Sequence, residues 1–387
     1  MRKQYTWVIA CLALTFAGDR LAGYFLHKIS EKSQFRYSRL YNRTDDAEIL
    51  FVGNSRGLTF FQPEAERLTT QTTMNLSYNG MPADLAKCLV MDYYDRHAAP
   101  KLMIIDVTLC DRENDVLKSG FNMFTPQSKR LDTLLSNMNT NDDAWTGRKI
   151  VYGGKLSRLY RFNSEVFQRV LYHRKKTDKD WLIDRVIGQA AMKDTSLKSY
   201  QVRYFPNMVS HLKEMVAYAE ARGTVVKLVI NPYYQPFADR IRDSFLIPLK
   251  TAVETETGLP VQDFSTALTT IDEIGDYQHA NKKGSIHYMN ILAENGILKT
   301  HNSNTTYANA APQSVFTSEP TPVMPSDNGF SEQMTPSVYA PNSRTLSSNM
   351  THNTHSYPIN SVKRSKIARQ RGKDDDEGFA VDTMFSR

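Results

Sequence analysis

Short apolar runs alternate with amphipathic stretches along most of the chain. Ile49-Leu50-Phe51-Val52 puts four apolar residues in a row, the pattern of a strand buried on both faces of a parallel sheet. It breaks at Gly53-Asn54-Ser55-Arg56-Gly57, where Gly53 permits a sharp turn and the polar residues after it can open a helix. Pro63 can start a short helix over 63–68. A second short strand over 74–80 ends at Asn79-Gly80, a strong turn signal. Residues 83–96 carry Leu85, Cys88, Leu89 and Tyr93 at the spacing of one helix face. A third strand is predicted over 101–109. Residues 111–195 are rich in polar, aromatic and basic side chains and fit a helical insertion or cap. The sheet pattern then resumes with a helix over 208–222 that Gly223 stops. A strand over 225–230, a helix over 237–257 bent at Pro248, a last strand over 261–265 and a final helix over 286–298 follow.

Strands alternating with helices imply right-handed βαβ units and a mainly parallel sheet, hence an α/β fold over residues 47–300. The N-terminus has a different pattern. Met1-Arg2-Lys3 precedes an apolar run from Trp7 to Gly18, then Asp19-Arg20, then a second apolar patch over 21–26. The central run is shorter than the ~20 residues of a spanning helix, but a count from Tyr5 to Leu26 reaches that length. Residues 1–29 are read as an uncleaved signal anchor with one transmembrane helix. A cleaved signal peptide and a buried soluble helix remain the alternatives. Residues 30–46 read as a helix or linker between anchor and domain. From 301 to 387, Asn, Ser, Thr and Pro dominate without periodicity, so a disordered tail is expected.

Charge changes this picture little. The 48 basic and 41 acidic residues give a net +7, but the cations are scattered and no nucleic-acid-binding signature occurs, so nucleic acid is not an expected partner. The densest basic run, 363–373, lies in the tail beside an acidic one. Three cysteines make no disulfide framework; Cys88 and Cys110 are expected to be buried free thiols, with a disulfide between them in an oxidising compartment as the alternative. No metal-ligand spacing is present, and no cofactor is expected.

Ser55, at a strand-to-turn corner, would project its hydroxyl from the carboxyl edge of the sheet, where α/β proteins place ligands. A helix-capping serine is the alternative. A serine needs a base, and the base needs an orienting group. Asp276-Tyr277-Gln278-His279 offers both, its three-residue spacing bringing carboxylate and imidazole together across one turn. Asn54 and Arg56, beside the serine, are candidate substrate contacts, with a salt bridge at the sheet edge as the alternative for Arg56.

Together these blocks resemble the SGNH (GDSL-type) hydrolases. Gly53-Asn54-Ser55 is similar to their Gly-Asp-Ser block, Asp276-x-x-His279 to their terminal block, and Asn75-Leu-Ser-Tyr-Asn-Gly80 to the block whose glycine helps form the oxyanion hole. The layout resembles membrane-anchored SGNH-like proteins of bacterial cell-surface polysaccharide modification. That resemblance implies a three-layer α/β/α fold and a serine esterase or O-acyltransferase outside the cytoplasmic membrane, acting on an acylated glycan or with an acyl-donor membrane protein. Ser55, His279 and Asp276 would be catalytic, with the Ser55 and Gly80 amides and Asn79 serving the oxyanion. The family's third block, Gly-x-Asn-Asp, is absent, and Asp106-Val-Thr-Leu-Cys-Asp111 stands in its place. A non-catalytic SGNH-like scaffold that binds glycan or organises a membrane assembly is the rival reading.

Overall fold

Five strands pair in parallel: β1 (Ile49–Val52), β2 (Thr73–Asn75), β3 (Leu102–Asp106), β4 (Val225–Ile230) and β5 (Val261–Asp263), in the order β2-β1-β3-β4-β5. These come from a computed structural model that describes residues 2–42, 46–138, 142–180, 182, 184–188 and 202–299; the tail expected over 301–387 lies outside the described residues. The chain steps from β1 outward to β2, then returns to the other side of β1 for β3. The order therefore reverses at β1 and β3, which makes their carboxyl ends the topological switch point of the sheet.

Alternate side chains explain why the strands read as unbroken apolar runs. Leu50, Val52, Met103, Ile105, Leu228 and Ile230 face the helices Ala83–Arg96, Pro206–Glu220 and Ile247–Thr257. Ile49, Phe51, Leu102, Ile104 and Val229 face the helices Gln62–Thr69 and Lys282–Glu294. Both faces are covered, giving the three-layer α/β/α arrangement.

Several boundaries differ from the sequence expectation: the strand expected over 74–80 is Thr73–Asn75, and the helix expected over 286–298 is Lys282–Glu294. β3 stops at Asp106 because its carboxylate accepts from the Thr108 N–H (3.1 Å) and hydroxyl (2.8 Å), bending Val107–Asp111 into a 3-10 helix. The helix expected over 237–257 is two helices, Gln235–Ile241 and Ile247–Thr257, joined by a π turn, Arg242–Leu246. Pro248, which has no N–H to donate, thereby sits in the first turn of the second helix. A separate antiparallel ribbon follows the sheet: β6 (Ile274–Asp276) pairs with β7 (His279–Ala280).

The segment expected to be a linker is part of the core. Arg36–Asn42 is a helix whose Tyr37, Leu40 and Tyr41 are buried, together with Phe35. Its two arginines concealed this in the sequence. Both are buried against Asp178, whose carboxylate accepts from Arg36 Nε (2.6 Å) and Arg39 Nη2 (3.2 Å). Asp178 belongs to the insertion, which contains the helices Asp115–Gly120, Lys129–Ser136, Asp142–Leu156 and Glu165–Tyr172. Asn114, Ser128 and Ser164 cap three of them by accepting from backbone N–H groups of the first turn.

The N-terminus is one helix, Arg2–Glu31, with exposed apolar side chains from Tyr5 to Phe16. Tyr5–Glu31 is the one stretch among the described residues long and apolar enough to cross a membrane. Cys88 and Cys110 are buried free thiols, and burial pushes Cys88 up to about 12.

Replacing Asp178 with Ala leaves two buried guanidinium groups without their shared carboxylate. We expect a loss of about 3–5 kcal/mol, read as a lower denaturant midpoint; an unchanged midpoint would show that the insertion is not held through this ion pair.

Candidate active site

The turn after β1 is held from beneath by side-chain amides. Asn54 is fully buried; its Nδ2 donates to Thr108 O (2.9 Å) and its Oδ1 accepts from the Arg56 N–H (3.0 Å). Asn75 Nδ2 donates to Gly57 O (2.9 Å) and Phe60 O (3.1 Å). Asn231, at the end of β4, donates to Arg56 O (3.0 Å) and accepts from the Tyr288 hydroxyl (2.8 Å). The turn also requires its last glycine, since a Cβ on Gly57 would lie 2.3 Å from Ser77 Oγ. These contacts fix Ser55 at the switch point, half-buried, as the residue preceding a 3-10 turn over Arg56–Thr59.

Arg56 and Asn54 are not placed to contact a substrate, which corrects that expectation. The Arg56 side chain is 2 % exposed, and its donors go to protein: Nε to Thr108 Oγ1 (2.8 Å), Nη2 to Asp111 Oδ2 (2.5 Å) and Thr108 O (3.2 Å), Nη1 to Gln278 Oε1 (3.1 Å). Its guanidinium also lies 5.2 Å from the centre of the Tyr233 ring. Burial alone would raise Asp111, but Arg56 and Arg112 outweigh it and hold that carboxyl below its ordinary value. For Asp106 the balance goes the other way. Burial raises it despite Arg56 and Thr108, and its Oδ2 has no partner among the described residues. The residues in place of the third block thus build a buried support for the turn.

Asp276 and His279 face one another across the β6–β7 ribbon, not across a helical turn, which corrects the expected geometry. His279 Nδ1 lies 2.8 and 3.0 Å from the two Asp276 oxygens, and His279 Nε2 lies 2.8 Å from Ser55 Oγ. An ionised carboxylate only accepts, so Nδ1 carries the proton, Nε2 accepts, and the Ser55 hydroxyl donates to it. Burial tends to raise Asp276, but the His279 hydrogen bond, the Gln278 N–H (2.9 Å) and Arg185 together lower it. Arg185 Nη2, from the insertion, donates to Asp276 Oδ2 at 3.3 Å. Tyr234 N–H donating to Tyr277 O (3.2 Å) and Ile187 N–H donating to Ile274 O (2.8 Å) hold the ribbon in place.

Gly80 has φ +68°, and its carbonyl accepts from Asn114 Nδ2 (3.0 Å). Asn79 is exposed. Neither the Ser55 nor the Gly80 N–H donates to another backbone group among the described residues. No hydrogen bond among the described residues joins Asn79 or Gly80 to Ser55, so the structure brings together Ser55, His279 and Asp276 but shows no such link to the oxyanion candidates. Nor do three His, Cys, Asp or Glu side chains gather there as a metal site. Sequence reasoning missed Asn231, Gln278 and Arg185. The first was marked by its place at a strand end, the second by lying inside the Asp-x-x-His block, and the third by nothing local.

No family model matches the chain, and no curated protein matches it. Among solved structures it is similar to a putative acylhydrolase from Bacteroides fragilis NCTC 9343, at 11% identity and a TM-score of 0.30, over 65% of this chain and 88% of that one. At that TM-score the likeness carries no functional argument.

Because folding lowers the Asp276 ionisation below the ~3.9 of an unfolded aspartate, its contribution to stability is present above about pH 4 and is lost as pH falls through the folded value. The stability gap between wild type and Asp276→Asn is therefore expected to be level from neutral to mildly acidic pH and to narrow below about pH 4. Urea titrations across that range read it, and a gap independent of pH would contradict an ionised Asp276.

Proposed function

We propose that the chain is a membrane-anchored, SGNH-like serine esterase or O-acyltransferase acting on cell-surface polysaccharide or another acylated glycan. The observation that carries this reading is the unbroken hydrogen-bond chain Ser55–His279–Asp276 at the switch point of a parallel sheet. Ser55 Oγ attacks the acyl carbonyl while His279 Nε2 takes its proton, and the ionised Asp276 stabilises the imidazolium that results. The amides of Ser55 and Gly80 take the oxyanion, with Asn79 as a further donor. His279 returns the proton to the departing alcohol, leaving an acyl-serine. Water or a sugar hydroxyl, deprotonated by the same nitrogen, then attacks the ester and restores the Ser55 hydroxyl. The absent third-block asparagine removes one oxyanion donor, an effect of about two to three orders of magnitude in rate, so slow turnover is expected.

The apolar Tyr5–Glu31 helix supports anchoring. Basic residues lie on both sides of the apolar run, Arg2 and Lys3 before it and Lys28, Lys32, Arg36 and Arg39 after it, so the positive-inside rule discriminates little; on this proposal the N-terminus is cytoplasmic and the catalytic domain periplasmic or extracellular.

Full-length protein in detergent, treated with a fluorophosphonate probe, is expected to be labelled at Ser55. Labelling should vanish in Ser55→Ala and His279→Ala, and Asp276→Asn should lower turnover of a simple acyl ester by about four orders of magnitude. A folded wild type that takes no label would overturn the catalytic reading in favour of a non-catalytic scaffold.

A further inference from the structure

The apolar helix does not leave the domain at its end. Halfway along, Asp19 accepts from the Ser157 hydroxyl, the Arg158 N–H (2.9 Å) and the Leu159 N–H (3.1 Å), and Arg20 donates to Leu156 O (3.2 Å). Gly23 makes the approach possible, because a Cβ there would lie 2.5 Å from Arg158 Cβ. The insertion is thus locked to the helix from Asp19 to Gly23.

That lock fixes a depth. From Tyr5 to Gly18 the helix rises roughly 21 Å at ~1.5 Å per residue, short of the about 30 Å of a hydrocarbon core. About 20 residues are needed, and counted from Tyr5 they end at Tyr24, one residue past Gly23 and about one helical turn past Asp19, the two residues that meet Arg158. Residues 156–160 therefore stand at the level of the bilayer's outer boundary whenever the helix spans. Their side chains suit that level. Leu156 is 80% exposed and Leu159 46%, with Tyr152 and Tyr160 also exposed beside them. Tyrosines of this kind settle at headgroup depth. Arg20, Arg158 and Arg161 gather at the same place. Burial, then Arg158 and Arg20, hold Arg161 below its ordinary value, while Asp19 lies 3.8 Å from Arg20 as its counter-ion, leaving the group net cationic. A cleft of about 320 Å³ lined by Leu26, Leu159, Tyr160 and Phe162 opens alongside.

We propose that this face of the insertion is a second membrane contact, in which Leu156, Leu159 and the two tyrosines enter the interface and the Arg20–Arg158–Arg161 cluster binds the phosphates of anionic phospholipids. The proposal rests on the anchoring reading, and it commits to a lipid surface because the cations and the amphipathic rings adjoin the spanning helix itself. Interfacial faces of this composition bind by buried apolar area together with attraction to anionic lipid.

The test uses full-length protein in vesicles of phosphatidylcholine alone or with phosphatidylglycerol. Single fluorophores are placed by Leu12→Cys, Leu156→Cys or Lys213→Cys in a Cys11→Ala background, and quenched by lipid-borne nitroxide or aqueous iodide. Leu12 reports the anchor. Labels at Leu12 and Leu156 are expected to lose emission with the lipid quencher, and the label at Lys213 with iodide alone. Phosphatidylglycerol should deepen the Leu156 response, and Arg158→Gln with Arg161→Gln should abolish that increment. A Leu12 label quenched by lipid beside a Leu156 label quenched only by iodide overturns this proposal and leaves the anchor standing. A Leu156 label shielded from both quenchers overturns it in favour of a protein partner. A Leu12 label that lipid does not quench overturns both readings.

Discussion

Arg56 is a guanidinium taken out of water, and a buried cation is destabilising by several kcal/mol unless anions, acceptors and a π face surround it. The groups that meet this demand come from separate parts of the chain. Asp111 and Thr108 follow β3, Tyr233 follows β4, and Gln278 lies between the two strands of the ribbon. The residue before Arg56 is Ser55, and the residue after Gln278 is His279. Satisfying the one charge therefore brings the serine hydroxyl and the imidazole to 2.8 Å. The Ser55–His279 geometry thus follows from an electrostatic requirement located beneath it.

The elements that carry their own periodicity were legible in the sequence. The helix Ala83–Arg96 and the strands Ile49–Val52 and Val225–Ile230 lie where the apolar spacing put them. Ser55, Asp276 and His279 were legible because a glycine turn after an apolar run and an Asp-x-x-His block are local patterns. What could not be read there depends on partners distant in sequence. Arg36 and Arg39 look like linker residues until Asp178, more than a hundred positions away, neutralises them. For Arg56 the salt-bridge alternative holds over the substrate contact, with Asp111 as the partner that its sequence neighbourhood could not name. Asp276 and His279 close across an antiparallel ribbon because three-residue spacing is compatible with a tight hairpin as well as a helical turn.

The insertion joins regions that the sheet alone would leave independent. Ser157, Arg158 and Leu159 hold the N-terminal helix, Asp178 holds the Arg36–Asn42 helix, and Arg185 reaches the Asp276 carboxylate. Among its described residues this segment has no strand in the main sheet, yet it touches the N-terminal helix, the core and Asp276.

The β6–β7 ribbon has a further consequence. Among the described residues its strands pair with each other and not with the five-stranded sheet, so it is held by the burial of Ile274 and Ala280, by the Arg56–Gln278 hydrogen bond and by a few backbone bonds, and not by a shared ladder. Regions held in this way open at free energies below that of global unfolding. The free energy that seats His279 beside Ser55 can therefore be separate from, and smaller than, the free energy that folds the domain. A substitution under the ribbon can part His279 from Ser55 while melting curves stay unchanged, so on the proposed reading loss of activity need not mean loss of fold.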